Sequence, residues 1–225
     1  MSDSSSTDRP SPAPNRALRP VGGGREAEIV DLGDGTVLRR YRKGGNPGRE
    51  AVAMEHARTG GYPVPAVHAV RDDGLVLERV DGPSMLRELR RRPWRLNAHM
   101  RTLADLHDRL HAITAPAEFG AGALLHCDLH PDNVLLSARG PVVIDWPNAT
   151  AGDPAFDVAL AWVITATSGG ALGRIAMPFF LRHVDREATR RALPAAAAYR
   201  IADPNVTDAE RAAVRRLVAR EAPQE

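Results

Sequence analysis

The stretch that decides the fold is LLHCDLHPDNVLLSARGPVVIDWPNATAGDPAFD, residues 124–157, and above all its core from His126 to Leu136. Four polar side chains gather around a turn, and an apolar strand follows. After a short break, Ser137 to Pro141, comes a second apolar strand, Val142-Val143-Ile144, which ends on Asp145. A tight loop starting at Asp128 returns to Asn133 at the mouth of the first strand, and a hairpin brings Asp145 back beside it. The pattern His-x-Asp-x-x-x-x-Asn, followed by an Asp closing the next strand, is what phosphoryl transfer requires. One carboxylate, Asp128, meets the attacking hydroxyl. A carboxamide and a second carboxylate, Asn133 and Asp145, hold Mg²⁺, a hard cation that takes few protein oxygens and keeps several waters. His126 is expected to brace the loop backbone. A hairpin that merely carries surface carboxylates is the plain alternative.

His126, Asp128, Asn133, Ile144-Asp145-Trp146 and Gly152-Asp153-Pro154-Ala155-Phe156-Asp157 together resemble the aminoglycoside phosphotransferase and choline kinase branch of the protein-kinase-like fold. The resemblance implies an α+β fold of two lobes, a small antiparallel sheet with one helix and then a mainly helical lobe. Residues 1–20 read as a disordered leader, 21–80 as a nucleotide-binding lobe and 81–225 as a helical catalytic lobe. It also implies that Asp157 accepts hydrogen bonds from the catalytic-loop backbone, that His111 is structural, and that Trp146 packs beneath the metal site.

With 225 residues the chain can bury one substantial core. A net charge of +2 argues for no particular partner. Of thirty basic residues only Lys43 is lysine, a bias that also explains the abundance of Arg without invoking nucleic acid. The single cysteine, Cys127, rules out an intrachain disulfide and fits a reducing cytoplasm. No apolar run is long enough for a membrane span, and no signal peptide is visible. The partners expected are a small hydroxyl substrate, with no nucleic acid and no membrane, and a monomer is expected.

Met1 to Pro20 is rich in Ser, Pro, Asp and Arg. Gly22-Gly23-Gly24 precedes two strands, Ala27 to Val30 and Thr36 to Tyr41, so Gly23 is a candidate for presenting backbone N–H groups to phosphate. A flexible linker is the other reading. The second strand is where the resembled family places its phosphate-binding basic residue. Side chains alternate along a strand, so Val37 and Arg39 share a face, with Val37 placed against the adenine and Arg39 against phosphate. Arg39 stands where a lysine is usual; Lys43 lies past the strand end. Glu50 opens a helix over Arg49 to Thr59, with Val52, Ala53, Met54 and Ala57 at helical spacing, and matches the family's partner of the strand base. Glu55 is the fallback. Residues 67–70 and 75–80 form a hairpin about Asp72-Asp73-Gly74. Glu78 to Gly82 resembles the family's hinge, where the backbone of Glu78 and Val80 bonds the adenine edge.

A short helix around Leu86 to Arg90 ends before Pro93, and Leu96 to Ile113 forms a long amphipathic helix. His107 and His111 are spaced for a metal on it, with no third ligand near in sequence. Residues 171–225 are expected to be helical and broken at Pro178, Pro194 and Pro204. The family builds much of its acceptor pocket from this region. From Arg174 onward there are ten Arg against seven acidic residues, so no acidic lining for a polycation is evident. The function expected is transfer of the γ-phosphate of ATP (or GTP), with Mg²⁺, to a hydroxyl. Its rival is a weak or inactive nucleotide-binding regulatory protein on the same fold. A protein kinase is disfavoured, because Trp146-Pro147 follows Asp145 in place of Phe-Gly.

Overall fold

The computed structural model describes residues 19–23, 27–42 and 44–221. The first lobe is an antiparallel sheet in the order β1-β2-β3-β5-β4, formed by β1 (Arg19–Gly23), β2 (Ala27–Asp31), β3 (Thr36–Tyr41), β4 (Val67–Arg71) and β5 (Gly74–Glu78). The sheet begins earlier than the sequence reading placed it. Gly22 and Gly23 are paired strand residues, Gly23 opposite Glu28, so this much of the glycine run is ladder. Gly24 and Lys43, and residues 1–18 of the expected leader, lie outside the described residues.

Helix α1 (Pro47–Thr59) crosses between β3 and β4 and packs on β4 and β5. The Asn46 side chain accepts the Arg49 N–H at 2.9 Å, and Pro47 occupies the first turn, where its missing donor costs nothing. Glu50, Ala53, Met54 and Ala57 form its buried stripe, while Val52 faces outward. A carboxylate thus stands in an apolar row, which demands partners.

The chain leaves β5 through residues 79–84. Gly82 has φ +153°, and a Cβ there would sit 2.2 Å from the Leu136 carbonyl oxygen, so the crossover needs glycine. The second lobe contains α2 (Met85–Arg91), capped by the Ser84 hydroxyl, then α3 (Leu96–His111) and the short strand β6 (Ala123–Leu125). The ribbon β7 (Val134–Ser137) with β8 (Gly140–Val143) follows. Strand β9 (Thr150–Gly152) returns to pair with β6. Helices α4 (Pro154–Ser168), α5 (Gly170–Phe180), α6 (Arg186–Ala202) and α7 (Asp208–Glu221) complete the lobe. Helix α4 is its axis. Every residue from Asp157 to Thr165 is buried, because α3, α5, α6 and α7 all pack around it. Among the described residues no helix is long and apolar enough to cross a membrane.

The expected breaks at Pro178 and Pro194 do not occur. Helix α5 runs through Pro178 and α6 through Pro194; only Pro204 falls between helices. An interior proline removes one helical hydrogen bond and crowds the preceding turn. Here burial of Met177 and Phe180 on α5, and of Leu193, Ala196 and Ala197 on α6, holds each helix together.

Gly82→Ala is expected to destabilise the protein by on the order of 2 kcal/mol, since either the backbone at Leu136 or the crossover must move. For a chain of this size that is a fall of about 4–8 °C in Tm, readable by thermal unfolding.

Candidate active site

The loop between β6 and β7 is held in place by one buried carboxylate. Asp153 caps α4, its side chain accepting the Ala155 N–H at 2.9 Å, and the first turn then points Asp157 inward. Its Oδ1 accepts the Cys127 N–H at 2.8 Å. Its Oδ2 accepts the His126 N–H at 3.1 Å and His111 Nε2 at 3.0 Å. Burial alone would raise the Asp157 pKa, but the His111 hydrogen bond and the nearby imidazoles hold it far below the usual carboxylate range. Among the described residues, Cys127 and Asp145 are the non-glycine residues with positive φ, at 60° and 69°. Both flank the cleft, the usual place for backbone strain to be kept.

His126 is fully buried and braces two segments. Its Nδ1 accepts the Asp128 N–H at 3.2 Å, so Nε2 carries the proton donated to the Ile144 carbonyl at 3.1 Å. The loop is thereby tied to the residue just before Asp145. The Trp146 ring lies against His126 with centroids 4.7 Å apart. Asn133 Nδ2 donates to the Asp128 carbonyl at 2.9 Å and to its carboxylate Oδ2 at 3.1 Å, which leaves the carboxamide oxygen free of that task. His130 places Nε2 3.4 Å from Asp128 Oδ1. Burial pushes Asp128 up and His130 down, but their mutual contact outweighs this, lowering Asp128 and raising His130.

Across the cleft, Arg39 is buried and forked. Its Nη1 donates to Glu50 Oε2 at 3.0 Å, and Nη2 bonds Asp145 Oδ1. Glu50 also accepts from the Tyr41 hydroxyl, and from the Trp146 N–H at 3.1 Å. The Tyr41 ring lies beneath the Arg39 guanidinium, 4.8 Å to its centroid. Glu55 is elsewhere, accepting the Val67 N–H. Glu78 turns its carboxylate away: Arg139 binds it at 2.7 Å and the Ala66 N–H at 3.1 Å, the Arg139 hydrogen bond lowering its pKa. The Glu78 N–H donates to the Ala66 carbonyl at 2.8 Å and the Arg79 N–H to the Gly35 carbonyl at 2.9 Å, so the backbone of this segment is only partly open to a ligand.

Arg39, Val37, Glu78, Val80, Asp128, Asn133 and Asp145 all line one cleft of about 1390 Å³. Glu50 stands behind Arg39, and Gly23 ends β1. Tyr41 and His130 went unremarked in the sequence reading. Tyr41 was legible, sharing the Arg39 face two residues on. Tyr199, Arg200, Asp203 and Glu210 also line the cleft, brought there by the α6–α7 connection. The tail therefore does place carboxylates at this opening. They are already engaged, Asp203 with Arg200 at 3.1 Å and Glu210 with the Ser168 hydroxyl at 2.9 Å.

His107 and His111 do acquire a third group, Asp157 from α4, and their ligand atoms lie within 4.8 Å of one another. The Asp157 oxygens are taken by the loop amides and His111, so the cluster works as a brace. Burial pushes the His107 pKa down to about 4 against the pull of Asp157, whose Oδ2 lies 3.8 Å from His107 Nδ1.

Residues 116–193 match the phosphotransferase enzyme family. The matched residues include the stretch that carries the loop motifs. No curated protein matches the chain. Among solved structures it resembles a thermostable mutant of aminoglycoside phosphotransferase APH(4)-Ia in ternary complex with AMP-PNP and hygromycin B. The TM-score is 0.70 at 17% identity, covering 93% of this chain and 95% of that one. It also resembles an ethanolamine kinase from Plasmodium vivax, with TM-score 0.65 and 12% identity over 90% and 82% of the two chains. A choline/ethanolamine kinase family protein from Mesorhizobium loti gives 0.57 and 19% over 91% and 86%. At these identities the structures establish the fold, the two-lobed kinase-like α+β architecture. With the family match they support phosphotransfer to a hydroxyl group.

The neutral, buried His107 makes stability pH-dependent in a defined window. Its folded pKa lies below the unfolded value near 6.5, so its contribution is complete above that pH and is lost as pH falls toward about 4. The loss is on the order of 3 kcal/mol. Tm measured across this window should fall more steeply for the native protein than for His107→Leu, which has no proton to take up.

Proposed function

We propose that this protein is a small-molecule kinase, transferring the γ-phosphoryl group of ATP or GTP to a substrate hydroxyl. The observation that carries this is the convergence of Asp128, Asn133 and Asp145 on one cleft, opposite the Arg39–Glu50 pair. The Asn133 carboxamide oxygen and the partly exposed Asp145 carboxylate are hard donors that fit Mg²⁺ with water completing its shell. When bound there, Mg²⁺ would neutralise charge on the nucleotide phosphates.

Asp128 accepts the proton of the acceptor hydroxyl. Its low pKa keeps it ionised, and the Asn133 amide fixes its direction. The acceptor oxygen then bonds to the γ-phosphorus in line, as the bond to the bridging β–γ oxygen breaks and the nucleoside diphosphate leaves. His130, its pKa raised by its contact with Asp128 against the effect of burial, stands beside the base at the cleft. Arg39 holds the phosphates from the opposite wall, Gly23 lies at the end of the strand that would cover them, and the backbone of Glu78 and Val80 receives the base. The acceptor enters between Asp128 and the α6–α7 connection, past Tyr199 and Arg200. A small polar alcohol as acceptor is supported by the likeness to structures described in complex with an aminoglycoside or named ethanolamine kinase. We place the reaction in the cytoplasm, carried out by a monomer. The rival reading, a nucleotide-binding regulator, drew on the missing strand lysine, the small size and the short helical lobe; the pairing of Arg39 with Glu50 and Asp145 supports a working base at the strand position.

Asp128→Ala should lower kcat by about 10²–10⁴-fold and leave nucleotide affinity nearly intact. Asp145→Ala should instead weaken Mg²⁺-nucleotide binding. Titration of a non-hydrolysable nucleotide with and without Mg²⁺, followed by Tm, separates the two; full turnover by the Asp128 variant would remove the assignment.

Restoring the customary residue is expected to harm the site. A lysine at 39 presents one ammonium and cannot fork between Glu50 and Asp145 while stacking on Tyr41. Arg39→Lys should therefore lower kcat/KM for nucleotide by about tenfold, a loss of about 1.4 kcal/mol. Unchanged kinetics would mean that only the charge matters.

A further inference from the structure

The turn Pro93–Arg95 between α2 and α3 carries Trp94 with 77% of its surface exposed, the most exposed large apolar side chain among the described residues. Every residue from Arg90 to Arg95 is exposed. Between Arg87 and Arg101 the chain has six Arg and a single acid, Glu88, although the whole chain balances 30 basic residues against 28 acidic ones. Among the described residues, Arg92 alone of the six has a carboxylate partner, Glu88 at 2.7 Å. The contact of His183 Nε2 with Asn97 Oδ1 at 3.2 Å brings exposed Arg182 toward the same corner. Overall composition gave no reason to expect a surface partner; this local arrangement does.

We propose that the α2–α3 corner docks on an anionic phospholipid surface, Trp94 entering at headgroup level and Arg90, Arg91 and Arg95 pairing with lipid phosphates. Indole favours the boundary between water and hydrocarbon. Arginine lays its apolar stem along that boundary while its charge meets the headgroups, and each added basic residue strengthens the attraction. Two other occupants fit less well. Single-stranded nucleic acid prefers a basic groove with successive stacking rings. Here one ring stands on a protruding turn, and residues 90–95 line neither of the two large cavities. A second copy meeting this face across a two-fold axis would set arginines against arginines.

The three tryptophans make the test selective, because Trp146 and Trp162 are buried at 0% and 2% exposure while Trp94 is not. Full-length protein is mixed with phosphatidylcholine vesicles, with or without phosphatidylglycerol, and sedimented while tryptophan emission is read. Sedimentation only with the anionic vesicles, a blue shift of emission, and release by high salt are expected. Trp94→Ser should abolish the blue shift and weaken sedimentation. The triple variant Arg90→Gln, Arg91→Gln, Arg95→Gln should abolish sedimentation, with Tm unchanged in both variants to show that they fold. Absence of sedimentation, equal binding to neutral vesicles, or undiminished binding by the triple variant would overturn the proposal. So would a Trp94 emission change with a single-stranded oligonucleotide or on self-association, in place of one with vesicles.

Discussion

Asp157 is 1% exposed, and its two oxygens receive the backbone N–H groups of His126 and Cys127 and the imidazole of His111. A buried carboxylate without those donors would be strongly destabilising, so helix α4, helix α3 and the loop after β6 are each held by a need they meet for one another. The loop accepts a left-handed backbone at Cys127 as a consequence. That conformation turns Asp128 out of the core and into the cleft. The position of the proposed base therefore rests on a residue 29 positions later that touches no ligand.

Glu50 has the same standing in the first lobe. It sits in the apolar stripe of α1, where an uncompensated charge would be costly, and it receives Arg39, Tyr41 and the N–H of Trp146. Those three donors come from the sheet and from the segment that follows Asp145. One helix carboxylate thus couples the sheet to the strand end that carries the proposed metal ligand. His126 continues the chain of contacts from Ile144 back to Asp128. The two lobes share a polar seam, and a change at any member is felt at the others.

Most of this seam was legible in the sequence, because it is built from local patterns. Alternation along β3 set Arg39 and Val37 on one face, the resemblance to the kinase-like family singled out Arg39 and Glu50 as a pair, and the spacing of Asp128, Asn133 and Asp145 required a loop and a hairpin. What stayed illegible depended on distant partners. The glycines before Ala27 read as a loop, yet two of them are held in the sheet by pairing with β2. Pro178 and Pro194 read as helix breaks, because the sequence does not show that α3 and α4 will support the helices containing them. Asp157 closes on His111 from 46 positions away, and no local pattern announces that. The acceptor side is the extreme case, since Tyr199, Asp203 and Glu210 reach the cleft only through the way α6 and α7 lie along α4.

The arginine at position 39 can be understood from charge and shape together. A lysine ammonium is a point charge, whereas a guanidinium presents separate donors in a plane. Arg39 uses two of them on two carboxylates and lays its face on Tyr41. One guanidinium between Glu50 and Asp145 leaves that group of three with one net negative charge, the sign a divalent cation requires. Asp145 is the more exposed of the two acids, with 40% of its side chain open against 1% for Glu50. The buried acid is satisfied from within the protein, and the open one keeps capacity for a ligand. The departure from lysine is thus matched by its surroundings: Tyr41, whose ring supports the guanidinium, also binds the glutamate through its hydroxyl.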